Sequence, residues 1–183
     1  DPQLSQRLES ARDRAIKSLS TPRHLTLLNE LVSAAAMPRV TELGNSASKD
    51  VLPELVDRSF RRLARRVKQL ELEGPAEVWH EARISAKRAR YSAEAVSGVF
   101  GGPAKRLADA LSEVTEILGD HQDACIAQDV LREMAATDGI DGRTGFALGL
   151  LHEHEFETEL HNRLEFKRIW PHVRRVHKST KLA

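Results

Sequence analysis

The sequence predicts an all-α protein, an antiparallel helical bundle with a basic surface groove. Aromatic residues make up only 4% of the chain, whereas Leu, Ala, Arg and Glu, which are common in helices, are abundant. Prolines and glycines stand where helices begin, as at Thr21-Pro22, Gly74-Pro75 and Gly102-Pro103. No stretch between these positions shows the sustained alternation of polar and apolar residues that a strand needs.

These boundaries divide the chain into helices joined by short loops, which favour antiparallel neighbours. The predicted helices are 2–19, 22–37, 50–71, 75–98, 103–118, 121–136 and 142–169. Pro171 is expected to end or kink the last helix, because proline lacks a backbone N–H. At 183 residues the chain is long enough to form a hydrophobic core, and we expect a single domain over residues 1–183.

Charge is segregated along the chain, although the formal net charge is only +1. Six of the eleven residues in 58–68 are Arg or Lys, and none is acidic. In 109–159 thirteen acidic residues stand against two arginines, and in 161–183 seven Lys or Arg residues stand against one acid. Local fields can therefore be strong despite the small total charge, and the basic segments favour an anionic ligand.

The predicted helix 50–71 separates apolar from basic residues at the helical repeat of about 100° per residue. Its apolar face consists of Leu52, Val56, Phe60, Leu63, Val67 and Leu70. Its opposite face, the arginine row, consists of Arg58, Arg61, Arg62, Arg65 and Arg66. Like charges at three- and four-residue spacing repel one another, so a solvated helix usually alternates acids with bases. The row therefore favours an anion groove, and a merely solvated face is the alternative.

A second basic stripe lies on the predicted helix 75–98. It consists of His80, Arg83, Lys87 and Tyr91, with Arg90 at its edge. The opposite, alanine stripe consists of Ala82, Ala86, Ala89, Ala93 and Val96. Arginine forks suit phosphate oxygens, while a lysine is a compact point charge. We place the centre of the groove at Arg83, Lys87 and Arg90, and one wall at Arg62, Arg65 and Arg66 of the arginine row. His80 is interpreted equally as a hydrogen-bond donor to phosphate or as a structural hydrogen-bonding residue.

The cysteine content and the absence of a long apolar stretch indicate where in the cell the protein acts. The single cysteine, Cys125, excludes an internal disulfide and is interpreted as a small buried hydrophobe. No stretch is apolar enough to cross a membrane, and no signal peptide is visible. We expect a cytoplasmic protein without a bound cofactor or metal. The first residue is Asp rather than Met, which indicates a fragment.

The segment 80–94 (H-E-A-R-I-S-A-K-R-A-R-Y-S-A-E) resembles the signature of the CHAD family, the conserved histidine α-helical domain. The matching residues are His80, Arg83, Lys87, Arg88, Arg90, Tyr91 and Glu94. The segment 118–123 (L-G-D-H-Q-D) is similar to the family's L-G-x-x-x-D element, which we expect to close a helix. The preceding arginine row and the later segment 166–170 (F-K-R-I-W) also fit. Glu94 is expected to pair with Arg90, and Asp120 and Asp123 to cap a helix or pair with arginines.

The resemblance implies a non-catalytic helical domain that binds inorganic polyphosphate in a channel lined by Lys and Arg. Domains of this family often stand beside CYTH-type triphosphate-processing domains or at polyphosphate granules, so such associations are expected here. The family domain is usually a repeat of two helical halves, each with its own basic motif. Because this chain shows one such motif, we expect it to be the second half with the helices that lead into it.

The predicted polyphosphate-binding set extends beyond the groove. Lys105 and Arg106 are equally well explained as solvated first-turn residues, and Arg163 and Lys167 as cations near a helix end. The whole set is His80, Arg83, Lys87, Arg88, Arg90, Tyr91, Arg58, Arg61, Arg62, Arg65, Arg66, Lys105, Arg106, Arg163 and Lys167.

Three other functions stay open. A metal-dependent phosphohydrolase would use His154, Glu157 and His161, which share one helix face, but no Gly-rich phosphate loop or G-x-S-x-G elbow accompanies them. Non-specific binding of a nucleic-acid backbone would use the same groove, although few aromatic residues are available for stacking. A structural module would pair the acidic segment 109–159 with the basic faces, internally or across a dimer.

Overall fold

The structure, a computed structural model, describes the backbone of residues 2–180 and 182 and the side chains of residues 5–180 and 182. All regular structure in these ranges is helical, which confirms the predicted fold class. By its internal packing the chain separates into two compact units, Asp1–Ser46 and Ala47–Ala183. Among the helices described, none is both long and apolar enough to span a membrane.

The first unit is a pair of helices followed by a short 3₁₀ helix. Helix α1 spans Pro2–Leu19, α2 spans Pro22–Ala36, and the 3₁₀ helix spans Glu42–Asn45. The side chain of Thr21 caps α2 by accepting a hydrogen bond from the backbone N–H of His24. Pro22 follows in the first turn, where no backbone N–H is needed. No residue of α2 is buried, so this unit leaves apolar side chains exposed.

The second unit is a bundle of four long helices and one short one. Helix α3 spans Ser48–Val67, α4 Ala76–Ala95, α5 Ser97–Phe100, α6 Gly102–Ala135 and α7 Gly142–Ser179. Helix α6 packs against both α4 and α7, and α3 packs against α4. Phe60 of α3 stacks on Trp170 and His177 of α7, which closes the bundle.

Side-chain contacts show that neighbouring helices run antiparallel. His80, near the start of α4, contacts Gln122, whereas Arg90, near its end, contacts Thr115 at an earlier position of α6. The contacts between α6 and α7 show the same reversed order. Short connections between consecutive helices produce this arrangement.

The core of the bundle confirms both apolar patterns predicted from the sequence. On α3 the buried residues are Val56, Phe60 and Leu63, and on α4 the alanine stripe is buried in full. Trp79, Leu111 and Phe166 fill the space between the helices at 1% exposure or less. Full burial of one large apolar side chain contributes about 1.5–3 kcal/mol, so these contacts fix the orientation of α3 and α4.

The predicted break between helices 103–118 and 121–136 is wrong, because α6 runs through Gly119 as one helix. Glycine in a helix interior costs about 1 kcal/mol relative to alanine. Leu118 and His121, on either side of it, are buried at 1% exposure, and their packing offsets this cost. Asp120 and Asp123 therefore lie inside a helix and do not cap one.

Pro171 does not end the last helix, because α7 continues through it to Ser179. The contacts beyond the proline explain this. Val173 is fully buried, and His177 stacks on Phe60 with its Nε2 3.0 Å from the Asp57 carboxylate. These contacts hold the last turns in place although the proline removes one backbone hydrogen bond.

Candidate anion-binding site

A polar cleft of about 610 Å³ lies between α3 and α4. Its lining residues are Arg62, Arg65, Arg66, Gln69, Glu81, Ile84, Ser85 and Arg88. The arginine cleft, as we call it, brings three arginines of the α3 row together with one arginine of the α4 motif. Half of its lining residues therefore carry a permanent positive charge.

Burial of the opposite helix faces positions these side chains. Because Phe60 and Leu63 are buried in the core, the arginines at 62, 65 and 66 face outward. On α4 the buried alanine stripe turns Ser85 and Arg88 toward α3. Small alanine side chains let α4 approach its neighbours closely, so that one cleft is shared by both helices.

The arginines of the cleft differ in their partners. Arg62, Arg65 and Arg88 are exposed and form no ion pair or hydrogen bond through their side chains with any residue that the structure describes. Arg66 Nη1 lies 2.9 Å from Glu81 Oε2 and donates to Gln69 Oε1 at 3.4 Å. Three guanidinium groups with unused donors in one cleft suit the oxygens of phosphate groups.

The first two arginines of the row are paired with acids of their own helix. Arg61 Nη2 lies 2.7 Å from Glu54 Oε1, and its Nε lies 3.0 Å from Asp57 Oδ2. Arg58 Nη2 lies 3.8 Å from the same Glu54 oxygen. Neither arginine lines the cleft. The row therefore divides into a first part that is paired within α3 and a second part that lines the cleft.

The opposite flank of α4 faces α6 and carries the predicted groove centre. His80 Nδ1 donates to Gln122 Oε1 at 2.6 Å, because an amide oxygen can only accept. Arg90 Nη1 donates to Thr115 Oγ1 at 2.9 Å, and its Nε lies 3.2 Å from the predicted partner Glu94. The Arg90 guanidinium also lies 4.9 Å from the centre of the Tyr91 ring.

Arg83 and Lys87 stand between His80 and Arg90 on this flank, and both are half-buried. The Nε of Arg83 is buried without a hydrogen-bond partner among the described residues. A buried donor without an acceptor costs about 1–3 kcal/mol. None of the three centre residues lines the arginine cleft, so the predicted centre lies on the α6-facing flank of α4 and the cleft on its α3-facing flank.

A family model described as the CHAD domain matches residues 1–132, which is most of the chain. The chain belongs to the CHAD family. The matched range contains the arginine cleft and both flanks of α4. Residues 133–183, which include α7, lie beyond the matched range.

Two proteins are similar to this CHAD chain over most of its length, one in sequence and one in structure. An uncharacterized protein of Mycobacterium tuberculosis, present in two strains, is 26% identical over 157 residues. That alignment covers 81% of this chain but 28% of the relative, so the chain spans less than a third of that protein's length. The solved structure of PptA from Streptomyces chartreusis superposes with a TM-score of 0.79 at 24% identity, covering 93% of this chain and 62% of that one. This likeness shows the same fold.

Arg163, predicted as an extension of the CHAD groove, is instead a buried part of the fold at 5% exposure. Its Nε donates to His121 Nε2 at 3.1 Å, and its Nη1 donates to the backbone oxygens of Leu72 and Gly74. Its Nη2 forms an ion pair with Glu159. Since these donors are used inside the protein, Arg163 does not present them to an external anion, and we leave it out of the site.

His121 is the buried acceptor at the centre of this cluster. Burial lowers the pKa of His121 to about 4, and the positive charge of Arg163 acts in the same direction against the opposing effect of Glu159. Burial, together with the Glu159 carboxylate, raises the pKa of the neighbouring Cys125 thiol to about 12. At neutral pH both groups are therefore uncharged, and the thiol is unreactive.

His121, Cys125 and Glu159 place three donor atoms within 4.8 Å of one another, a spacing that could hold a metal ion. The guanidinium of Arg163 already contacts the imidazole and the carboxylate. A divalent cation would meet this positive charge, so we assign no metal to the cluster. His154, Glu157 and His161 are exposed on α7, and their donor atoms are not grouped in this way in the part of the chain described.

The other predicted CHAD site residues are exposed but scattered. Lys105, Arg106 and Lys167 do not line the arginine cleft. Conversely, the sequence interpretation missed Gln69, Glu81 and Ser85, which do line it. The sequence did contain a signal for Glu81 and Ser85. Together with Arg88 they follow the three- and four-residue spacing of one helix flank.

Proposed function

We propose that this CHAD chain binds inorganic polyphosphate through the arginine cleft and the α6-facing flank of α4, without catalysing a reaction on it. The observation that carries the proposal is the convergence of Arg62, Arg65, Arg66 and Arg88 on one cleft. Membership in the CHAD family supports the choice of ligand, because the resemblance of the basic motif implied polyphosphate.

The chemistry of the cleft suits a linear anion that offers no bases to recognise. Recognition of polyphosphate must come from repeated charge-assisted hydrogen bonds and from release of counterions, as for any phosphate backbone. No aromatic side chain lines the cleft, although stacking platforms are the usual means of binding single-stranded nucleic acid. These features favour polyphosphate over nucleic acid.

The composition of the cleft also favours binding over catalysis. No histidine or cysteine lines it, and its one carboxylate, Glu81, is held by Arg66. Acid–base catalysis of phosphoryl transfer would need a proton acceptor placed to reach a nucleophile. We therefore propose a binding role. From the family resemblance we further propose that the chain is one half of the family domain and acts in the cytoplasm, at polyphosphate granules or beside a CYTH-type domain.

The test is calorimetric titration of the chain with long-chain polyphosphate at two salt concentrations. Wild-type affinity should fall steeply as salt rises, because each neutralised phosphate releases counterions. The variant Arg65→Ala/Arg88→Ala should bind at least about 30-fold more weakly, since it loses two charge-assisted contacts. The variant Arg83→Ala/Lys87→Ala tests the α6-facing flank in the same way.

A matched control separates the cleft from bulk charge. Arg132→Ala/Arg143→Ala removes two positive charges from the acidic segment outside the cleft and should bind like wild type. Equal losses in the control and in the cleft variant, or absence of wild-type binding at low salt, would contradict the proposal. Competition by single-stranded DNA of matched charge decides between polyphosphate and nucleic acid as the preferred ligand.

A further inference from the structure

One acidic side chain stands inside the arginine cleft. Glu81 belongs to α4, and its Oε2 reaches 2.9 Å from Nη1 of Arg66 on α3. Both side chains are about half exposed, at 53% and 45%, so the pair lies in contact with solvent. A carboxylate of the protein therefore occupies a guanidinium that we assign to the ligand.

We propose that Glu81 is a tethered competitor of the anionic ligand, which holds Arg66 in the empty cleft and releases it when polyphosphate binds. This inference rests on the proposed function. It adds a residue of opposite charge to the site and a defined exchange of partners at Arg66.

The exchange is physically feasible because the pair is exposed. Exposed ion pairs contribute only about 0–1 kcal/mol, so a ligand can replace one without disturbing the fold. A tethered carboxylate competes at an effective concentration in the millimolar range. A polyphosphate already bound to Arg62, Arg65 and Arg88 presents its next phosphate at a comparable effective concentration, so it can compete with the carboxylate for Arg66.

Glu81 also opposes the ligand after the exchange. Once Arg66 has turned to a phosphate, the carboxylate stays in the cleft beside the bound anion and repels it. Glu81 therefore lowers the affinity of the wild-type cleft in two ways, through Arg66 and through direct repulsion. Only the first of these depends on the presence of Arg66.

The test is calorimetric titration with sodium tripolyphosphate of the variants Glu81→Gln and Glu77→Gln. Glu81→Gln should bind on the order of five-fold more tightly, because the competitor has lost its charge. Glu77 is an exposed acid one turn earlier on α4 that does not line the cleft. Glu77→Gln removes the same charge and should stay within about two-fold of wild type.

A double-mutant cycle with Arg66→Ala isolates the competition. On the Arg66→Ala background, Glu81→Gln should improve binding by less than about two-fold, because no arginine remains to be released. An equal gain on both backgrounds would overturn the inference, since Glu81 would then act only as a nearby negative charge. So would equal affinities of the Glu81→Gln and Glu77→Gln variants. A wild-type chain that does not bind tripolyphosphate or long polyphosphate would instead overturn the proposed function, which is a distinguishable result.

Discussion

Arg65 in the arginine cleft and Arg163 between α6 and α7 are the same residue type in opposite surroundings. Arg163 is 5% exposed, and the fold supplies acceptors for its guanidinium from an imidazole, a carboxylate and two backbone carbonyls. Arg65 is exposed, and no described residue pairs with it. The difference teaches that an arginine is available to a ligand where its donors are unused or held only by an exposed, weak ion pair, and not where buried acceptors hold them. Position in a basic segment does not decide this.

The largest expected effect concerns stability. Arg163→Ala should lower the free energy of unfolding by about 3–5 kcal/mol, because it leaves Glu159 as an unpaired charge beside the buried His121. Arg65→Ala should change the same quantity by less than about 0.5 kcal/mol. Urea denaturation followed by circular dichroism measures both. Similar values for the two variants would show that the buried cluster does not stabilise the fold.

Acid should destabilise the bundle through the same cluster. The unfolded chain protonates His121 near pH 6.5, whereas the folded chain keeps it neutral down to about pH 4. Within this window the unfolded state binds more protons, so stability falls as the pH is lowered, by on the order of 3 kcal/mol in total. The lowered pKa of the half-buried His177 acts in the same direction.

Urea denaturation at pH 7 and at pH 4.5 measures this loss. His121→Gln should reduce the difference between the two pH values, because the variant has no titrating group at this position. His154→Ala, at an exposed position on α7, serves as the control and should keep the wild-type difference. An unchanged pH dependence in the His121 variant would assign the effect to other groups.

Geometry should matter in the cleft as well as charge. Arg65→Lys/Arg88→Lys keeps both positive charges but replaces planar forks by compact ammonium groups. We expect polyphosphate to bind about ten-fold more weakly to this variant, with little change in the salt dependence of affinity. Titration at two salt concentrations separates the two quantities. Wild-type affinity in this variant would show that the cleft recognises charge alone.

The smallest effect is expected where an arginine is already paired. Glu54→Ala/Arg61→Ala removes an acid and a base together and leaves the net charge unchanged. Because Arg61 lies outside the arginine cleft, where it pairs with Glu54 and Asp57, this variant should bind polyphosphate within about two-fold of wild type. The same titration measures it. A loss comparable to that of the Arg65→Ala/Arg88→Ala variant would extend the site along the whole arginine row.

Local patterns in the sequence predicted most of the fold. The apolar face of α3 and the alanine stripe of α4 follow the helical repeat, and their burial confirms the prediction. The break at Gly119 was wrong because a propensity cost of about 1 kcal/mol is small beside the packing of Leu118 and His121. Contacts between distant segments decide such cases.

The candidate site was less predictable, for the same reason. The pairing of Arg58 and Arg61 could have been expected, because Glu54 and Asp57 precede them by one helical turn. The burial of Arg163 could not, since these acceptors lie on two other segments of the chain, Leu72 and Gly74 in the loop before α4 and His121 on α6. The division of the basic residues between two flanks of α4 depends on where α3 and α6 pack, which helix periodicity alone does not give.

The two flanks of α4 have a consequence for stoichiometry. Tyr91, and Ile84 at the edge of the arginine cleft, are exposed on the surface of α4 between the two flanks. Under the proposed function, we expect a short phosphate chain to occupy one basic flank only. A longer phosphate chain that passes over the surface around Ile84 and Tyr91 should occupy both flanks. The number of phosphate units bound per protein should therefore rise in two steps as the polyphosphate is lengthened.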